Sequence, residues 1–297
     1  MSVDGILLLD KPVGLTSNAA LGRARRIIGM RKAGHTGTLD PLASGLLILC
    51  FGEATKVSGF LLDADKAYRA ECRLGATTDT DDSEGQVVAT APVPMLDKHR
   101  LEGVLADFRG SIDQVPPMYS ALKHKGRRLY ELARAGQKVD RPARPVIIHE
   151  LCLDELQDDR LALFIRCSKG TYIRSLVRDI GQALGCGAHL TALRRTASAP
   201  YRLADAITLD DLEGLNVDEA RARLLPIDSA LMQLPAVRLD AIEARRIGHG
   251  QEITVDGNAV TGSGLVRLYD NDRFIGIGEI SPAGRLRPRR LLAQGAS

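Results

Sequence analysis

The stretch Gly34-His35-Thr36-Gly37-Thr38-Leu39-Asp40-Pro41-Leu42-Ala43-Ser44-Gly45 sets one carboxylate among glycines, hydroxyls and an imidazole. A carboxylate so placed can serve as a nucleophile. The glycines and Pro41 make the stretch a poor helix interior and a poor strand. It therefore reads as a structured loop between apolar runs, a usual place for chemistry. Pro41 biases Asp40 away from helical geometry, so the side chain is held rather than free. On the residue alone, an Asp in a Gly-rich loop is most often a turn former or helix cap. A phosphate loop is the next reading. Gly29 to Thr36 fits a Walker A pattern, but His35 stands where the phosphate-contacting lysine belongs, which excludes a nucleoside-triphosphate site.

Other positions carry reactive side chains. Ser168-Lys169-Gly170-Thr171-Tyr172-Ile173-Arg174 leads into an amphipathic helix with Ile173, Leu176, Val177, Ile180 and Leu184 on one face and Gly185 ending it. Arg174 gains nothing from the dipole at a helix start, so it is either simply exposed or placed for a partner. Tyr68 opens an alternating strand to Leu74 and on its own is the last core residue of that strand. Thr77 to Gly85 invites a calcium reading. Counted from Asp79, however, Glu84 falls where Gly is needed and Thr90 where the bidentate Glu belongs. That leaves a polar turn between the strands Tyr68–Leu74 and Gln86–Ala89.

Composition bounds the class. The 297 residues are 44% hydrophobic and 26% charged, ordinary for a globular protein. No apolar run is long enough to span a membrane, and the N-terminus lacks the pattern of a signal peptide. Five cysteines without a Cys-x-x-Cys pair argue against a disulfide framework and a zinc site, and for a reducing cytoplasm. The net charge is only +3, but the basic residues are segregated. One run holds Arg23, Arg25, Arg26, Arg31 and Lys32. A second holds Lys123, Lys125, Arg127, Arg128, Arg134, Lys138, Arg141 and Arg144. A third holds Arg285, Arg287, Arg289 and Arg290. Singly, such runs are solvated faces; three together suit the phosphates of a nucleic acid. Aromatics at 4%, with no Trp, argue against an extended base-stacking platform.

The elements that must position these groups follow from periodicity and punctuation. Gly5 to Asp10 reads as a buried strand, and Ser17 as the cap of a helix over residues 18 to 28. Leu46 to Phe51 reads as a buried strand, and Glu53 to Leu62 as a helix. Asp97 caps a helix carrying Leu101, Val104, Leu105 and Phe108. Gln114 to Lys123, with two prolines, reads as an exposed turn, followed by a short helix near Leu129 to Ala133. Val146 to Leu153 and Leu161 to Cys167 read as strands. Thr208 to Asp211 resembles a capping box, and a helix follows around Val217 to Leu224. Beyond Leu234-Pro235, the strands Gln251–Val255, Gly264–Tyr269, Phe274–Ile280 and Arg285–Leu292 suggest a small β-barrel.

The string from Gly34 to Gly45 resembles the catalytic motif of the TruB family of tRNA pseudouridine synthases, in which the aspartate is the nucleophile. Further segments resemble that family in order: Lys66-Ala67-Tyr68-Arg69 with Arg73-Leu74-Gly75, then Pro116 to Lys123, then Ser168 to Arg174, then Cys186 to Thr196. Gly276 to Glu279 and the last basic strand resemble a PUA module. The resemblance implies an α+β fold, a mixed, largely antiparallel sheet flanked by helices, plus a small C-terminal PUA-like β-barrel. It implies a catalytic domain over 1–232, a basic RNA-clamping insertion at about 120–145, and an RNA-binding module over 235–294.

The implied reaction is isomerisation of uridine 55 in the T loop of tRNA, with no metal and no cofactor. Asp40 is the expected nucleophile, at either uracil C6 or ribose C1′, and Arg174 its expected partner. By the resemblance, Tyr68 is expected to stack on the base and help move a proton, Tyr172 to line the pocket and Leu193 to wall it. Lys11 is expected to support the loop and Asp82 to lie near the substrate, and His35 is the candidate to brace the space left by the flipped base. Arg23, Lys32, Lys123, Arg127, Arg128, Arg141, Arg287 and Arg289 are the expected RNA contacts. No obligate protein partner is implied, and a monomer is expected. Two rivals are a non-catalytic tRNA-binding or tRNA-folding protein on the same scaffold and an Asp-nucleophile hydrolase. The second lacks a metal or phosphate site.

Overall fold

The computed structural model describes residues 3–120, 122–124, 126–137, 139–254 and 263–293; the side chains of residues 123, 124, 128, 130 and 134 lie outside the description. Strand β1 (Gly5–Lys11) leads to helix α1 (Ser17–Ile28), edge strand β2 (Ala33–Thr36) and central strand β3 (Ala43–Phe51). In β1 and β3, Leu7, Leu9, Leu47, Leu49 and Phe51 face one core, while Ile6, Leu8, Leu46, Ile48 and Cys50 face another. A strand covered on both faces is what a continuous apolar run encodes.

The Asp40 motif is only partly a loop. Gly34, His35 and Thr36 lie in β2, and Ala43, Ser44 and Gly45 open β3, so the loop proper is 37–42. Gly45 permits this early start. Its φ is +99°, and a Cβ there would lie 2.3 Å from the Arg195 carbonyl oxygen.

Helix α1 is capped by Thr16, which accepts from the Ala19 N–H, rather than by Ser17. Ser17 is instead buried and latches the loop. Its Oγ accepts from the Leu39 N–H at 2.8 Å and donates to the Leu39 carbonyl at 3.0 Å. Ser17→Ala leaves two buried backbone groups without partners, a loss of roughly 1–3 kcal/mol. A measurably lower melting temperature is expected, and an unchanged melting curve contradicts the latch.

Residues expected to form one helix from Glu53 divide into a 3-10 turn, Gly52–Val57, and helix α2, Ser58–Asp63. Thr55 and Ser58 each bond the carbonyl three residues back, which favours the tighter winding. Strand β4 (Lys66–Leu74) alternates as its sequence predicts, with Tyr68, Ala70, Cys72 and Leu74 buried. The polar turn expected after it lies one hairpin further on, between β5 (Ala76–Thr78) and β6 (Val87–Thr90).

Helix α3 (Lys98–Asp107) is capped by Asp97 as expected and precedes β7 (Gly110–Gln114). The segment 114–120, expected to be an exposed turn, is packed: Gln114, Pro116, Pro117 and Ser120 are buried. The short strands β8 (Lys123–His124) and β9 (Arg127–Arg128) pair, and α4 (Leu129–Arg134) follows. Next come β10 (Arg144–Gln157), β11 (Arg160–Cys167), α5 (Ile173–Ala183) and β12 (Ala188–Ser198). The predicted face of α5 packs in the core, with Leu176, Val177 and Ile180 at most 1% exposed.

The short strands β13 (Tyr201–Arg202) and β14 (Ile207–Thr208), and helices α6 (Leu209–Glu213) and α7 (Val217–Ala222), close this part of the chain. The main sheet has the order β14-β1-β3-β12-β4-β11-β10-β7, with β2 paired to β3 and β13 to β12. Only β1–β14 and β3–β12 are parallel within it. The expectation of a mixed, largely antiparallel α+β sheet holds.

The C-terminal part adds an element that the sequence reading lacks. Strand β15 (Ala236–Leu239) and helix α8 (Ala241–Gly248) precede β16 (Ile253–Thr254), β17 (Gly264–Asp270), β18 (Arg273–Ile280) and β19 (Arg285–Leu291). Asp240 and Glu243 form a full capping box at α8, a signal present in the sequence. The five strands make a curled half-barrel in the order β15-β17-β18-β19-β16. Among the described residues no helix is long and apolar enough to cross a membrane.

The half-barrel shares a core with the main sheet, because Ile277 packs with Ile6, Leu8 and Ile48. Glu53 is the polar hub of this seam. It accepts from the Ala293 N–H at 2.7 Å and from Lys32 at 2.6 Å, and it pairs with Lys56, whose Nζ also donates to the Leu291 carbonyl. The bond from Ala293, with those from both lysines, lowers the Glu53 carboxyl to about 2. A value below that of the unfolded chain stabilises fully at and above the usual glutamate range and is lost as pH falls toward about 2. Glu53→Gln is therefore expected to speed protease cleavage near Leu234-Pro235 at neutral pH, and acid should do the same to the parent chain. Equal cleavage rates at neutral pH contradict the latch.

Candidate active site

Arg174 is the geometric centre of the site. It lies in the first turn of α5, with its side chain 7% exposed. Gln114 fixes that turn. Its amide oxygen accepts from the Tyr172 N–H at 2.8 Å, and its amide nitrogen donates to the Tyr172 carbonyl at 3.1 Å. Ser175 and Arg178 both donate to the Val115 carbonyl, at 3.0 and 3.2 Å. These bonds account for the burial of segment 114–120: its carbonyls face the start of α5.

The guanidinium forks between two carboxylates. Nη2 lies 2.9 Å from Asp40 Oδ2 and donates to the Tyr119 carbonyl at 2.8 Å. Nη1 lies 3.3 Å from Asp82 Oδ2 and donates to the Thr80 carbonyl at 3.0 Å. Exposure separates the two acids. The Asp82 side chain is 4% exposed, and its Oδ1 is already taken by Thr80 Oγ1 and the Glu84 N–H. The Asp40 side chain is 43% exposed. Asp82 thus neutralises the buried guanidinium, while Asp40 is aligned by it and left open to a reactant.

The other predicted residues come from four strands and one helix start. Lys11 at the end of β1 is fully buried, not a surface charge. Its Nζ donates to the Pro12 and Leu15 carbonyls at 2.8 and 2.6 Å, bracing the turn before α1. Burial lowers its amine to about 8, against the attraction of Asp40. Tyr68 on β4 is buried, and burial raises its phenol above the ordinary range. Burial likewise raises the Tyr172 phenol. Leu193 on β12 pairs with Ala43 and Ala70 and sits at the rim of the core. His35 on β2 lies opposite Leu49, and its Nδ1 is buried without a hydrogen-bond partner. Burial, and then the Arg195 charge, lower the imidazole below its usual value, so it is neutral at pH 7.

The predicted RNA cations have partners that sequence order concealed. Arg23 lies 3.4 Å from Glu213, Lys32 pairs with Glu53, and Arg287 and Arg289 share Glu279 at 2.7 and 3.1 Å. The exposed pairs of Arg23, Arg287 and Arg289 contribute only about 0–1 kcal/mol, so they compete weakly with phosphates. Arg141 donates to the Pro116 carbonyl at 2.9 Å, tying the insertion to the segment beneath Arg174. Arg127 is exposed. The side chains of Lys123 and Arg128 lie outside the described residues. No cluster of His, Cys, Asp and Glu among the described residues is arranged to hold a metal ion.

The sequence reading gave no role to Arg195, although it quoted the residue, or to Lys66. Both are buried beneath the loop. Arg195 donates to the Gly37 and Leu46 carbonyls at 2.9 and 2.7 Å, and Lys66 donates to the Leu62 carbonyl at 2.6 Å. The signal for Arg195 was its period of two from Leu193 on the same strand.

Fold and site together define a class: a mixed α+β sheet with one open, guanidinium-aligned carboxylate and an appended β half-barrel. Comparison with known proteins gives the class its family. The model of the TruB family pseudouridylate synthase N-terminal domain matches residues 25–173. Models of the tRNA pseudouridylate synthase B C-terminal domain and of the pseudouridine synthase II TruB C-terminal region match 174–232 and 235–292. The tRNA pseudouridine synthase B of Chromohalobacter salexigens is 52% identical over 291 residues, 98% of this chain and 94% of the relative. That of Burkholderia pseudomallei is 54% identical over 301 residues, 99% of both chains. Among solved structures, a chain of a Cbf5-Nop10-Gar1 complex superposes with a TM-score of 0.73 at 27% identity. That match covers 97% of this chain and 84% of the other. An H/ACA RNP bound to a substrate RNA containing 2′-deoxyuridine gives 0.71 at 26%, covering 98% and 85%. The chain belongs to the TruB family of pseudouridylate synthases.

Proposed function

We propose that the chain isomerises uridine to pseudouridine at position 55 in the T loop of tRNA, with Asp40 as nucleophile. The observation that carries this reading is the 2.9 Å pair of the open Asp40 with a buried Arg174, itself neutralised by Asp82. The names of the curated relatives support tRNA as the substrate.

The reaction breaks the bond from ribose C1′ to uracil N1 and makes one from C1′ to C5. The C5 hydrogen leaves as a proton, and N1 ends with one. Substrate and product are isomers, so no redox equivalent is consumed. The uridine must leave its stack to reach Asp40. Neutral His35, on the edge strand beside the loop, occupies the vacated space. Tyr68, Tyr172 and Leu193 hold the uracil edge-on to Asp40, Tyr68 also serving the proton transfer. Arg174 aligns the carboxylate for attack, and Lys11 holds the turn that carries α1.

The catalytic domain spans 1–232, with the basic insertion at about 120–145 closing over the RNA backbone. The PUA-like module over 235–294 adds Arg287 and Arg289 to the RNA surface. The chain acts as a cytoplasmic monomer, a setting that suits its free cysteines. A T-arm stem-loop labelled with tritium at uracil C5 tests the reading. Stoichiometric release of tritium to water with conversion of one uridine is expected; no release overturns the assignment.

A further inference from the structure

Arg195 is among the largest side chains buried almost completely, at 1% exposure. An arginine there is costly, because a guanidinium taken out of water must recover its hydration from fixed acceptors. A methionine or leucine would fill the same volume without that cost. The acceptors it has found all bear on the active site. Nη2 donates to the carbonyl of Gly37, three residues before Asp40, at 2.9 Å, and Nε donates to the carbonyl of Leu46 on β3 at 2.7 Å. A Cβ at Gly37 would lie 3.2 Å from Nη1, and Gly37 has a φ of +79°. The guanidinium is thus the seat on which the head of the loop rests. Arg195 is also the cross-strand partner of Tyr68, so their side chains share one face of the sheet. The guanidinium charge lies near enough to Tyr68 to oppose the effect of burial on that phenol.

We propose that Arg195 is a positioning residue for the reaction: one guanidinium holds the Gly37 end of the Asp40 loop and sets the direction of the Tyr68 hydroxyl. The second effect follows from donor chemistry. A guanidinium carries only donors, so toward it the Tyr68 hydroxyl can offer only its oxygen. The phenolic proton is then directed away from Arg195, and the hydroxyl keeps a single orientation. Without Arg195 that hydroxyl rotates freely, and the loop loses its hold at Gly37. The proposal rests on the function given above, because it assigns the effect to a proton carried by Tyr68.

A double-mutant cycle between Tyr68→Phe and Arg195→Met tests it, read as single-turnover tritium release, tRNA affinity and melting temperature. Each single variant is expected to lose roughly 10²-fold or more in rate, with affinity little changed. The double variant is expected to fall no more than about threefold below the slower single, since both changes remove the same oriented hydroxyl. Arg195→Lys keeps the charge but cannot fork between the Gly37 and Leu46 carbonyls while facing Tyr68, so it should recover part of the melting temperature and little of the rate. It carries the same cycle if Arg195→Met does not fold. Losses that multiply in the double variant, or an Arg195 variant that melts lower yet turns over normally, overturn the proposal. Absence of turnover in the parent chain would instead overturn the function.

Discussion

The Asp40→Asn chain is expected to bind T-arm RNA as tightly as the parent and to release no pseudouridine above background. The amide is the same size and still offers an oxygen to Arg174 Nη2, which lies 2.9 Å from the native carboxylate. The position is 43% exposed, so the change should leave stability within about 0.5 kcal/mol. An amide oxygen is a poor nucleophile, and losing the attacking group costs on the order of 10⁴–10⁶-fold in turnover. Equilibrium binding and single-turnover kinetics on one RNA preparation separate the two effects. A variant that loses affinity in proportion to rate would make Asp40 a binding residue.

Arg174→Met is expected to damage both folding and chemistry. It strands Asp82, whose side chain is 4% exposed, and removes the donors to the Thr80 and Tyr119 carbonyls. Breaking a buried ion pair in this way costs about 3–5 kcal/mol, and a melting temperature lower by roughly 6–20 °C follows. Adding Asp82→Asn should return part of that stability, because the amide oxygen can keep the bonds from Thr80 and the Glu84 N–H while the unpaired charge is gone. Turnover should not return, because Asp40 remains unaligned. Recovery of turnover in the double variant would show that Arg174 serves stability alone.

Much of this site was legible in the sequence because its parts sit at the ends of strongly periodic elements. The alternation in β4 fixed the face of Tyr68, the apolar stripe of α5 placed Arg174 beside the core, and glycines with Pro41 marked the loop. Other features depended on contacts that local pattern does not encode. Segment 114–120 looked exposed from its prolines and polar flanks, yet its carbonyls are drawn inward by Arg174, Ser175 and Arg178. Ser17 looked like a cap, but its hydroxyl goes to Leu39 while Thr16 takes the helix end. The basic runs looked unopposed because Glu53 and Glu213 come from distant stretches, and Glu279 meets Arg287 only through the pairing of β18 with β19. Strand β15 and α8 were missed although the Asp240–Glu243 capping box was there to be read.

Position-resolved mapping of pseudouridine on a full tRNA transcript, with the parent chain and Asp40→Asn side by side, tests the central claim most directly. The parent is predicted to convert a single uridine, at position 55 in the T loop, and the variant none. Conversion by the Asn chain at the parental rate, or an unmodified T loop with the parent, would contradict it.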